Sequence, residues 1–125
     1  MLRNVMILVI VCISFNTATP VTLAKYNFLQ DSSLKVTIET EEIIYEWEYE
    51  NPDQFEYEEG DSIFRGEKAK DSFEKMLMMI DLTEPKISDE VANKVNNEYN
   101  MLERITIKKI DADQYMQTWV WNSTK

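Results

Sequence analysis

Five glutamates, Glu46, Glu48, Glu50, Glu56 and Glu58, recur at every second position on either side of the tripeptide Asn51-Pro52-Asp53. Residues two apart in an extended chain share a face, so this spacing lays out a row of carboxylates. Two carboxylates at a suitable separation can hydrolyse a glycosidic bond, one as acid and the other as base or nucleophile. Nearly any two of these acids meet that description, so the spacing singles out no catalytic pair. The rest of the repertoire is narrow. The chain has no histidine, and its one cysteine is Cys12. That removes the commonest neutral-pH base and metal ligand throughout, and thiol nucleophiles, zinc-thiolate sites and disulfides from everything after position 12. No Gly-rich phosphate loop or nucleophile motif is present. The residues predict a non-enzymatic domain with no catalytic residues and no cofactor.

Between Lys35 and Arg65 lie eleven acidic residues and no basic one, in a chain of net charge −10. Nucleic acid is excluded as a partner, because a phosphate backbone demands a basic face, and anionic membrane surfaces are disfavoured for the same reason. The row Glu46, Glu48, Glu50, Glu56 and Glu58 is instead a candidate face for a basic protein, a cationic peptide or an envelope polymer. Its structural alternative is a solvated outer face that keeps a sheet from pairing with other chains. Asp53, Glu58, Glu59 and Asp61 do not follow the spacing of an EF-hand, so no dedicated metal site is expected.

The elements that must hold this row are strands. Ile43, Tyr45, Trp47 and Tyr49, then Phe55 and Tyr57, occupy the positions between the glutamates. One face is therefore aromatic and the other acidic, the pattern of a sheet with one side on a core and one in water. Leu34, Val36 and Ile38 alternate with Lys35, Thr37 and Glu39 in a strand before them. Three strands follow from this, the first ending about Thr40, the second spanning Ile43 to Glu50 and the third about Gln54 to Glu58, with Asn51-Pro52-Asp53 as the turn between the last two.

From Gly66 to Leu82 the period changes. Ala69, Phe73, Met76, Leu77 and Ile80 form one stripe of an amphipathic helix, widened by Met78 and Met79, before Pro85 stops it. A methionine-rich stripe fits either an adaptable groove or ordinary core. Ser88 is a candidate N-cap for a second helix to about Asn100, with Asp89 and Glu90 in its first turn. Ile105 and Ile107 alternate in a fourth strand. Tyr115 to Trp121 is apolar on both faces and predicts a last strand buried on both sides. Trp47, Tyr49, Phe55, Tyr57, Trp119 and Trp121 are expected in the core and its rim. The order β-β-β-α-α-β-β predicts an α+β fold, a largely antiparallel sheet with two helices on one face.

Ahead of this domain, Arg3 precedes an apolar run from Val5 to Phe15, and small residues stand at Thr22 and Ala24. That is the pattern of a signal peptide over 1–24, cut before Lys25, followed by a lead-in loop over 25–33 and a single domain over 34–125. A retained anchor and lipidation at Cys12 are the alternatives, although Val9-Ile10-Val11 lacks the small residue expected before a lipidated cysteine.

Arg65-Gly66-Glu67-Lys68-Ala69 opening a helix, then Met76-Leu77, Ile80-Asp81-Leu82-Thr83, Ser88-Asp89-Glu90-Val91 and a charged, aromatic terminal hairpin, resembles the YusW-like family of small exported proteins from Gram-positive bacteria. The similarity covers 34–121. It implies a secreted or envelope-associated domain of this α+β order, without an assigned enzymatic activity or catalytic residues. The functional expectation is a non-enzymatic envelope binding protein that uses its acidic face. An inhibitor or immunity-type protein that masks a basic partner is the alternative.

Overall fold

The computed structural model describes residues 27–124. The expected signal peptide over 1–24 and Cys12 lie outside the described residues. The fold is α+β, a six-stranded antiparallel sheet with two helices. The strands are β1 (Ser33–Thr40), β2 (Ile44–Glu50), β3 (Gln54–Glu59), β4 (Ser62–Arg65), β5 (Leu102–Ile110) and β6 (Met116–Asn122), with helices α1 (Glu67–Leu77) and α2 (Asp89–Tyr99) between β4 and β5. Across the sheet the order is β4-β3-β2-β1-β5-β6. The chain starts in the middle, walks outward to β4, crosses one face through the helices, and returns to pair β5 with the free side of β1.

Alternation in the sequence becomes a two-sided sheet. Leu34, Val36 and Ile38 on β1 are fully buried, as are Trp47 and Tyr49 on β2 and Ile105 and Ile107 on β5. From the helices, Ala69, Phe73 and Met76 of α1 and Ala92 and Val95 of α2 meet them. The aromatic residues behave as core and rim. Trp47, Tyr49, Phe55 and Trp119 are buried, and Tyr57 and Trp121 pack partly buried against them.

Four features differ from the sequence expectation. Ser62–Arg65 is a fourth strand of the first sheet half, reached through a two-residue connection with Gly60 at φ +56°. Glycine is required there, because a side chain at that φ is strained and its Cβ would lie 3.1 Å from Ile43 Cδ1. Lys68 Nζ at 4.2 Å from the Phe64 ring centroid then ties β4 to the start of α1.

Helix α1 stops at Leu77, short of Leu82. Its ladder tightens into shorter bonds, Met79 N–H to the Met76 carbonyl at 3.0 Å and Ile80 N–H to that of Leu77 at 3.4 Å. Ile80 and Leu82 stay buried beyond the helix, and Trp119 Nε1–H donates to the Glu84 carbonyl at 2.8 Å to hold that segment down. The N-cap of α2 is Ser88, whose Oγ accepts from Val91 N–H at 3.2 Å.

The last strand is not buried on both sides. Met116 and Val120 are 65% and 55% exposed, because β6 is an edge strand and, among the described residues, no second layer covers the face opposite the helices. Finally, the described part of the stretch expected as a lead-in loop contains a 3-10 turn, Phe28–Gln30. Phe28 enters the core at 3% exposure, its ring 5.1 Å from that of Tyr49 and 5.4 Å from that of Phe73.

Candidate functional site

The expected acidic face lies on the side of the sheet that the helices leave open. The pairing of β2 with β3 sets Glu46 opposite Glu58, Glu48 opposite Glu56 and Glu50 opposite Gln54. Four of the five glutamates thus form two directly opposed cross-strand pairs, and Glu50 continues the row at the exposed end. Like charges opposed in this way destabilise a sheet.

Two cations partly offset the repulsion, one from each neighbouring strand. On β1, Lys35 is opposite Glu48, and its Nζ lies 3.2 Å from Glu46 Oε1 and 4.0 Å from Glu48 Oε2. On β4, Arg65 is opposite Glu56, and its Nε–H donates to Glu56 Oε2 at 2.9 Å. Burial works against the Lys35 ammonium, but its hydrogen bond to Glu46 and the charges of Glu46, Glu48 and Glu58 outweigh it and raise the pKa. Glu58 goes the other way for a carboxylate. Burial, a hydrogen bond with Glu56 and the charges of Glu46 and Glu56 push its pKa up, with only Lys35 pulling it down.

Beside these pairs a hollow of about 500 Å³ opens at the hairpin end, lined by Glu48, Glu50, Asp53, Gln54, Phe55, Glu56, Arg65 and Gly66. Asp53 and Gln54 join the expected glutamates there. Lys35 and Arg65 are the functional neighbours that the sequence reading did not place. The alternation of β1 already put Lys35 on the open face, but only the register brings it to Glu46. Arg65 needed the unforeseen β4. At the edges of the acidic band stand Ile44 and Ile63, each about half exposed.

A second concavity lies on the opposite, helix-covered side. Tyr45, Tyr57, Glu59, Ser72, Lys75, Met79, Glu98 and Tyr99 line a cleft of about 470 Å³. Of the methionines in the α1 stripe, Met76 is buried in the core, Met78 is exposed and Met79 lines this cleft.

The four acids considered for calcium do not converge, since Glu58 and Glu59 are consecutive on β3 and point to opposite faces. Among the described residues no group of three or more metal-ligating side chains is placed to hold a metal ion. No helix among them is long and apolar enough to cross a membrane. Compared with family models, curated proteins and solved structures, the chain matches none of them.

Proposed function

We propose that the chain is a small exported, non-enzymatic domain of the YusW-like type, whose glutamate face binds a cationic partner at the cell envelope. The partner is a basic protein, a cationic peptide or a basic envelope polymer. The observation that carries this reading is the direct opposition of Glu46 to Glu58 and of Glu48 to Glu56. A face needed only for solubility is served as well by alternating signs across strands, which stabilise the sheet where these pairs cost it stability. A partner's ammonium or guanidinium groups set between the two rows remove that repulsion on binding. Ile44 and Ile63 beside the acids offer apolar contact to the stems of lysine and arginine side chains.

Export rests on the apolar run after Arg3 and on the small residues before Lys25. Titration against cell-envelope fractions tests the binding. Retention that weakens progressively with ionic strength is expected. Retention absent at low salt, or indifferent to salt, would overturn the proposal.

A further inference from the structure

The cleft on the helix side is a separate place from the glutamate face, and its lining has a chemistry of its own. Helix α1 packs on β2, β3 and β4, whereas α2 packs on β5. Between the two helices the sheet's aromatic residues are only partly covered, and the end of α2 leans over them. The Tyr99 ring centroid is 4.7 Å from that of Tyr45 and 5.7 Å from that of Trp47, and Trp47 stacks on Tyr57 at 5.1 Å. Trp47 itself is fixed by α1, because its Nε1–H donates to Ser72 Oγ at 2.9 Å. Tyr45, Tyr57 and Tyr99 therefore form a wall held rigid by core packing.

The charged groups around this wall are Glu59, Glu98 and Lys75. Two carboxylates against one ammonium leave the cleft electronegative. Tyr57 O–H donates to Glu59 Oε2 at 3.3 Å, which holds that carboxylate at the rings. The cleft joins three tyrosine rings and Met79 to the polar groups of Glu59, Ser72, Lys75 and Glu98, and apolar walls with a few convergent polar groups are the usual form of a small-ligand site. Ring faces attract cations through their quadrupole, and carboxylates beside them add to the attraction.

From this arrangement we propose that the cleft between α1 and α2 binds a small organic ammonium ion carrying alkyl groups, with the tyrosine rings against its apolar body and Glu59 and Glu98 beside its charge. The behaviour of the tyrosines agrees. Burial first, and then carboxylate charge, holds Tyr45, Tyr57 and Tyr99 above the ordinary phenol pKa, with Glu59 acting on all three. The burial part of these shifts opposes charge of either sign, but the carboxylate part favours a cation in the same space. Lys75 is the one cation among the lining residues, so an anion in the cleft would meet that group alone.

The site is tested by following the tyrosine resonances of the full chain during titration with choline and with its uncharged tert-butyl analogue, in which carbon replaces nitrogen. Choline is expected to shift Tyr45, Tyr57 and Tyr99 saturably, with the analogue at least about tenfold weaker. Glu59→Gln, which keeps an acceptor for Tyr57, is expected to weaken choline by about fivefold or more, and Tyr99→Leu by a similar factor. Equal binding of the uncharged analogue would overturn the proposal, as would shifts that do not saturate. An unchanged affinity in Glu59→Gln would contradict it even if Tyr99→Leu disturbed the fold.

Discussion

Glu46 and Glu58 stand directly opposite each other on adjacent strands, yet only Glu46 has an ammonium at ion-pair distance, Lys35 Nζ at 3.2 Å. The two carboxylates therefore differ in kind. One is neutralised from the β1 side, and the other is left among acids with its pKa raised by burial and by Glu56 and Glu46.

That asymmetry fixes the sign of a stability effect. A carboxyl group whose pKa is raised by folding binds protons more readily in the folded state, so stability falls as pH rises from its ordinary value of 4.5 through the raised one. Glu58→Gln is expected to stabilise the domain at neutral pH by about 0.2–1 kcal/mol, the range for relieving opposed like charges. Urea unfolding at several pH values checks this. The gain is expected to shrink as the pH is lowered through the carboxylate range, where wild-type Glu58 takes up its proton.

Phe28 lies before the first strand and is nevertheless part of the core, packed edge-on to Tyr49 and Phe55. Its turn is tied down by Tyr49 O–H and Asn51 Nδ2–H, which both donate to the Leu29 carbonyl at 3.3 Å. Phe28→Ala is expected to cost about 3–5 kcal/mol, measured by denaturant unfolding. Loss of less than about 1 kcal/mol would show that the segment ahead of β1 is dispensable.

The tyrosines predict the alkaline limit of the fold. Tyr99 is pushed up to about 12 by burial and by the charges of Glu98, Tyr45 and Glu59, and burial leads the upward shifts of Tyr45, Tyr49 and Tyr57. A phenol raised in this way contributes stability that is complete below its unfolded value of 10.0 and is lost as pH climbs toward the folded value. Ultraviolet titration should therefore show a tyrosine class that ionises late and together with unfolding. The midpoint for urea is expected to hold steady from neutral pH up to about pH 10 and then fall.

Much of this fold was legible in the sequence because its signals are local. The period of two from Leu34 to Tyr57 assigns faces without any knowledge of partners, and Ser88 followed by Asp89 and Glu90 marks a helix start on its own. What was missed depends on tertiary placement. Ser62–Arg65 has only Ile63 and Phe64 as adjacent apolar residues, so it shows no alternation and becomes a strand by pairing with β3. Ile80 and Leu82 fit the α1 stripe and are buried, but they reach the core from a non-helical segment. Met116 and Val120 look like core until β6 proves to be an edge.

The candidate site divides along the same line. All five glutamates were legible as one face, since alternation alone places them there. Their opposition in pairs, and the approach of Lys35 and Arg65, follow from register, which no single strand encodes. The aromatic cleft was less legible still. Tyr45, Tyr57 and Glu59 come from the sheet, Lys75 from α1 and Tyr99 from α2, and nothing in their separate patterns brings them together.

The central claim, that the glutamate face binds a cationic partner, is tested most directly by two variants of equal net charge. One replaces Glu46, Glu48, Glu50, Glu56 and Glu58 with glutamine; the other replaces the exposed acids Glu67, Asp71, Glu90, Glu103 and Asp113 with their amides. Both are titrated with a lysine-rich peptide at low ionic strength. If the face is the site, the first variant loses affinity by at least about tenfold and the second retains most of it. Equal weakening in the two variants would mean that the peptide responds only to total charge, and would contradict the account.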